Sequence, residues 1–163
     1  MEKETLRRKD KAINIVDQYS DMVYKLALNQ TKHKADAEDV YQEVFIRIVE
    51  KDISFESDQH LKAWLIRVTI NCSKKLFSSS WYKKRSELKD DIYFDKKEDE
   101  LLYYEVMELQ KKYRTVIHLY YYEDYSVNEI SEILNIKPST VKTHLFRARE
   151  LLKNKLEGGF NYE

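Results

Sequence analysis

The stretch 126-SVNEISEILNIKPSTVKTHLFRARELL-152 decides the fold, because it reads as two helices with a three-residue joint. Ser126 and Glu129 have the spacing of a capping box, in which each side chain satisfies the other residue's free backbone N–H. Val127, Ile130, Ile133 and Leu134 then recur at helical spacing and give one apolar face. Asn135-Ile136-Lys137 breaks that pattern. Pro138 suits the first position of a new helix, where its missing N–H costs nothing. In the second helix Val141, Leu145, Ala148 and Leu152 fall on one side. Ser139, Lys142, Thr143 and Arg147 fall on the other side or flank it.

That outer face has the chemistry a DNA major groove asks for. Hydroxyls and backbone N–H groups hold phosphates, and long cationic side chains reach base edges. From Lys137 to Lys155 there are six basic residues against one acid, in a chain whose formal net charge is zero. A helix-turn-helix with its second helix in the groove is one reading. A solvated helical hairpin with a basic face is the other.

Composition bounds the rest. In 163 residues there are only 2 Gly and 1 Pro, while charged residues reach 36%, so few turn formers stand against many helix formers. An all-α chain follows, as one domain or two small ones. The lone Cys72 cannot form an internal disulfide, which fits a reducing cytoplasm. No apolar run approaches membrane-spanning length, so no membrane insertion is expected. The charged opening MEKETLRRKD does not read as a secretory signal. The four histidines (33, 60, 118 and 144) lack metal-ligand spacing, and the two glycines sit together at 158–159, leaving no phosphate loop. No enzyme activity, catalytic residue, metal or cofactor is expected.

The stretch from Lys112 to Leu152 resembles the C-terminal promoter-reading domain of bacterial RNA polymerase sigma factors. It is most similar to the extracytoplasmic-function branch of the sigma-70 family. The matching pieces are Tyr113-Arg114-x-Val116, Ser126-x-x-Glu129-Ile130, Thr140-Val141-Lys142 and Arg147-Ala148-Arg149. Gln110 and Asp124 depart from the family, which usually carries Pro at the first position and often Gly at the second. Ser139, Thr140, Lys142, Thr143 and Arg147 are the expected duplex DNA contacts. This domain would also touch the flap of the polymerase β subunit.

The N-terminal half carries its own signals. A first helix is expected from about Lys9 to Thr31, with Ile13, Val16, Val23, Leu26 and Ala27 inward. A second is expected from Ala35 to Lys51, with Asp36, Asp39, Gln42, Glu43, Ile46 and Glu50 on its outer side. An acidic stripe is commonly just a solvated face, but an exposed isoleucine among acids points to a partner surface. The order Asp36-Ala37-Glu38-Asp39-x-x-Gln42-Glu43-Val44-Phe45 is similar to the sigma segment that docks on the β′ clamp helices. The resemblance makes Asp39, Gln42 and Glu43 polymerase contacts, and Ile46, by its place among them, is expected to join that surface. A third helix, capped by Ser57, is expected from Asp58 to about Phe77, with Leu61, Trp64, Leu65, Val68 and Cys72 inward. Ala63-Trp64-Leu65-x-Arg67-x-x-x-Asn71 continues the likeness. In similar proteins this helix and the preceding loop capture single-stranded bases of the melted downstream promoter element. Phe55, His60 and Asn71 have the aromatic and amide groups such a pocket needs, and Lys62, Lys74 and Lys75 the charge. Lys75 stands where the family usually has an acid or amide.

Residues 8–80 are therefore expected as an N-terminal helical bundle and 100–157 as a helix-turn-helix domain. Residues 81–99, almost all charge, are expected as a flexible linker. The resemblance implies a sigma factor that brings core RNA polymerase to specific promoters, with an anti-sigma protein as a further partner. Two rivals are a stand-alone helix-turn-helix activator, which would bind an operator without polymerase, and a helical adaptor that binds no DNA.

Overall fold

The structure, a computed structural model, describes residues 2–78 and 100–160. All regular structure among these residues is helical. The chain divides into two compact units, Met1–Tyr93 and Phe94–Glu163. The linker expected at 81–99, with Trp81, Tyr82 and the Lys83-Lys84-Arg85 run, lies outside the described residues. No helix among the described residues is long and apolar enough to cross a membrane.

The first unit is a bundle of α1 (Glu2–Thr31), α2 (Lys34–Glu50) and α3 (Asp58–Ser78), each packed on the other two. Its core holds Val23, Leu26 and Ala27 of α1, Ala37, Val40 and Val44 of α2, and Leu61, Leu65 and Cys72 of α3. α1 begins earlier than its apolar pattern indicates, because 2-EKETLRRKDK-11 contains no helix breaker and places Glu2 and Glu4 in the first turn, where the helix dipole favours acids. Ile13, expected inward, is 56% exposed. The buried line instead runs through Ala12, Ile15 and Tyr19, and Ile13 lies about 100° around the helix from Ala12. Asp36, expected on the outer acidic stripe, is fully buried in the first turn of α2. Trp64 is half-buried at the edge of the core rather than inside it.

Local chemistry explains the joints. α1 ends with Lys32 at φ 68°, its N–H bonded to the Leu28 carbonyl at 2.8 Å, a left-handed C-terminal cap. Ser57 caps α3 as its side chain suggests: Ser57 Oγ accepts from the His60 N–H at 3.1 Å.

The second unit contains α4 (Glu100–Glu108), α5 (Lys111–Ile117), α6 (Val127–Leu134) and α7 (Pro138–Phe160). Arg114 is buried, and its Nη1 donates to the Leu109 carbonyl at 2.8 Å, fixing the corner between α4 and α5. Burial pulls its guanidinium down to about 10, Glu108 acting in the opposite sense, so it stays charged at neutral pH. Gln110 takes φ −57°, the value a proline ring would impose, so the corner keeps its geometry without the proline.

The segment expected as one helix from Tyr113 to Tyr122 changes pitch. α5 runs into a π-helical turn over His118–Tyr122, closed by the Glu123 N–H on the His118 carbonyl at 3.2 Å. Asp124 then adopts φ 57°, in the left-handed region that glycine enters without steric cost. An aspartate tolerates the left-handed region at some steric cost. Asp124→Gly should therefore stabilise the unit by roughly 0.5–1 kcal/mol and raise its thermal midpoint by a few degrees. A midpoint that falls on this change would contradict the geometry at that turn.

Candidate functional site

The helix-turn-helix forms as its sequence dictates. Both arms of the capping box are present: the Glu129 N–H donates to Ser126 Oγ and the Ser126 N–H to Glu129 Oε1, each at 3.1 Å. α6 ends on Asn135 at φ 55°, and Ser131 Oγ donates to the Ile136 carbonyl across the joint. Ile130 and Ile133 of α6 and Val141, Leu145 and Ala148 of α7 are buried. This packing turns the opposite side of α7 outward.

On that side Ser139, Lys142, Thr143 and Arg147 are exposed, and Thr140 is half-buried on a flank. The structure thus brings the five predicted duplex contacts to one half of one helix. Thr143 Oγ1 donates to the Ser139 carbonyl at 2.9 Å, leaving its lone pairs facing outward. Sequence reasoning missed Phe146, which is 64% exposed between Thr143 and Arg147. Its position opposite Val141 and Ala148 was a legible signal. Its ring offers an apolar surface of the kind that meets thymine methyl groups.

The flanks of α7 differ in what they hold. Arg149 is engaged by the π-turn: its guanidinium lies 5.5 Å from the Tyr120 and Tyr121 rings, and Nε donates to Tyr121 Oη at 2.7 Å. It thereby ties the turn to α7. On the other flank, His144 meets the Tyr113 ring edge-on at 5.7 Å. Partial burial pushes its imidazole below the ordinary value, and the nearby Lys112 and Arg147 push the same way.

In the first unit, Asp39, Gln42, Glu43 and Ile46 recur at helical spacing on one face of α2. Asp39 and Gln42 are exposed, Ile46 is 46% exposed, and Val49 continues the strip at 55%. Val49 is a second missed residue, one helical turn beyond Ile46. Glu43 is half-buried and pairs with Arg47 Nε at 3.3 Å. The result is an acidic face with an exposed aliphatic seam, suited to a basic partner that also buries apolar surface.

The three predicted single-strand residues divide. Phe55 and His60 come together, with ring centroids 5.4 Å apart, and Phe55 also meets Trp64 at 5.5 Å. His60 Nδ1 accepts from the Glu56 N–H at 3.2 Å, which fixes the ring against the loop. Asn71 is exposed on the same face of α3 but eleven residues on, roughly 16 Å along the axis. These residues cannot close on one base. With Trp64, Arg67 and Lys74 at intervening and following turns, they form a track rather than a pocket.

Comparisons with known proteins bear on both units. Residues 15–82 match the family model described as Sigma-70 region 2, and residues 99–152 match Sigma-70, region 4. The chain is 32% identical to the ECF RNA polymerase sigma factor SigW of Bacillus subtilis, covering 90% of this chain and 89% of that protein. It is 31% identical to SigM of the same organism, covering 91% and 97%. Among solved structures, the sigma factor RpoE of Bartonella quintana, in complex with the anti-sigma factor NepR, aligns with a TM-score of 0.69 at 21% identity. That alignment covers 91% of this chain and 98% of the other.

Proposed function

The chain belongs to the extracytoplasmic-function branch of the sigma-70 family and directs core RNA polymerase to promoters; from that premise we propose which of its surfaces does what. The two-unit arrangement supports a division of roles. The first unit docks on polymerase and holds the melted strand, and the second reads the duplex element upstream.

The observation that carries the duplex assignment is the packing of α7. Val141, Leu145 and Ala148 are buried, so Ser139, Thr143, Phe146 and Arg147 face outward together. Ser139 and Thr140 grip phosphates near the start of the helix. Lys142 and Arg147 reach base edges, and Phe146 lies against thymine methyl groups. Arg149 stays with its tyrosines and contributes charge only. Arg147→Ala should cost about 1–3 kcal/mol in promoter binding by the assembled holoenzyme and relax sequence preference at the contacted position. Lys142→Ala should flatten the salt dependence by about one unit of slope, because its ammonium neutralises phosphate charge as it crosses the backbone to the bases. Salt-series binding measurements on the two variants check both, and the assignment of α7 fails if neither changes.

Asp39, Gln42, Glu43, Ile46 and Val49 form the surface for the β′ clamp helices, and the exposed tyrosines of the π-turn are the candidate contact for the β flap. Phe55, His60, Trp64, Arg67 and Asn71 form the track for the single-stranded downstream element. An anti-sigma protein, as bound by the Bartonella relative, is a further partner of the same faces. The place of action is the cytoplasm, where polymerase is. A stand-alone activator using only the helix-turn-helix leaves the region 2 match without a purpose, and a DNA-free adaptor leaves the basic face of α7 without one.

A further inference from the structure

The first turns of α1 contribute nothing to the core. Residues 2–11 are all exposed, and the buried apolar contacts begin at Ala12. Two cations of that stretch nonetheless share one target, the irregular segment 51–57 that leads into α3. Arg8 Nη2 lies 3.6 Å from Asp52 Oδ2. Lys11, on the same face one turn later, donates from Nζ to the Ile53 carbonyl at 2.8 Å and stands 6.0 Å from the Phe55 ring centroid. Beside Phe55 a groove of about 710 Å³ opens between this segment and α1, with Asn14 and Gln18 on its α1 side.

We propose that Arg8 and Lys11 are positioning residues that hold the 51–57 segment so that Phe55 stands ready at the head of the single-strand track. The inference rests on the reading of that track as the binding face for the melted element. Its physical basis is preorganisation. A segment of irregular backbone must be ordered before an aromatic wall can stack a base, and ties made beforehand remove that cost from binding. The competing role for exposed cations is direct contact with phosphates of the strand. The two roles make opposite predictions for Asp52. Under positioning, Asp52→Asn loosens the segment and weakens strand capture. Under direct contact, it frees Arg8 and removes a negative charge, and capture tightens.

The experiment uses holoenzyme assembled from core polymerase and the full chain. The probe is a fork-junction promoter fragment whose downstream element is single-stranded on the non-template strand, chosen from a promoter that supports run-off transcription. Lys11→Met should weaken binding of this fragment about fivefold and Asp52→Asn about threefold, with Lys11→Arg close to the parent chain. Core affinity and thermal midpoint should hold. The slope of log affinity against log salt should also hold, since no phosphate contact is lost. Phe55→Ala is the reference variant. If it weakens fork binding while Lys11→Met is silent, or while Asp52→Asn is silent or tightens binding, the positioning role is overturned and the strand track stands. If Phe55→Ala and Asn71→Ala are both silent, the track itself is overturned and the inference falls with it.

Discussion

Leu145→Ala is expected to unfold the C-terminal unit near physiological temperature and to abolish upstream promoter binding. Leu145 is 2% exposed on the inward side of α7. Deleting its side chain removes buried apolar surface and leaves a cavity, together worth about 2–5 kcal/mol. A unit of this size rarely has more than about 3–5 kcal/mol to lose. Core-polymerase affinity, which belongs to the other unit, should change little. The neighbouring Phe146→Ala makes the contrast, since an exposed ring can be removed at a stability cost within about 0.5 kcal/mol. It should leave the fold intact and still weaken promoter binding. Circular dichroism melting together with duplex binding by the holoenzyme separates the two effects. A Leu145→Ala chain that melts and binds like the parent would contradict the orientation of α7.

The second large effect is expected at α2. Asp39→Ala combined with Glu43→Ala should lower core-polymerase affinity by about ten- to a hundredfold, from the loss of charge pairs that are desolvated on docking. The two changes should not contribute equally. Glu43 holds Arg47 at 3.3 Å, so its loss also frees a cation beside a face that meets a basic partner. Glu43→Ala alone should therefore exceed Asp39→Ala alone. Affinity titrations of labelled chain with core enzyme test this: negligible effects would remove α2 as the docking face, and equal ones the contribution of the Glu43–Arg47 pair.

How much was legible in the sequence depended on how local the governing physics was. The capping box, the Ser57 cap and the buried line of α7 are short-range features, and the residues stated them. Asp36 was misread because it stands in the first turn of α2, where the facing is hard to fix, and Ile13, well inside α1, because a one-residue change of phase turns a helix face by about 100°. The π-turn at His118–Tyr122 carries no periodic signature distinct from an α-helix, so it was not readable. Asp124 and Gln110 were visible as departures from the family. Only backbone angles reveal that Gln110 stands at a proline-like φ and Asp124 in the left-handed region. The residues expected to hold the single strand share one side of α3, but Asn71 lies far along the axis from Phe55 and His60, and that separation depends on axial distance rather than residue type. Phe146 and Val49 were overlooked because attention to charge passes over exposed apolar side chains, although helical spacing placed both.

The most direct measurement is run-off transcription with purified core polymerase and this chain on fragments of its own genome. Discrete RNA starts that appear only when the chain is added, and weaken with Arg147→Ala, are the expected result. Core enzyme that starts no new RNA chain at any fragment, with or without the protein, would contradict promoter recognition by this molecule.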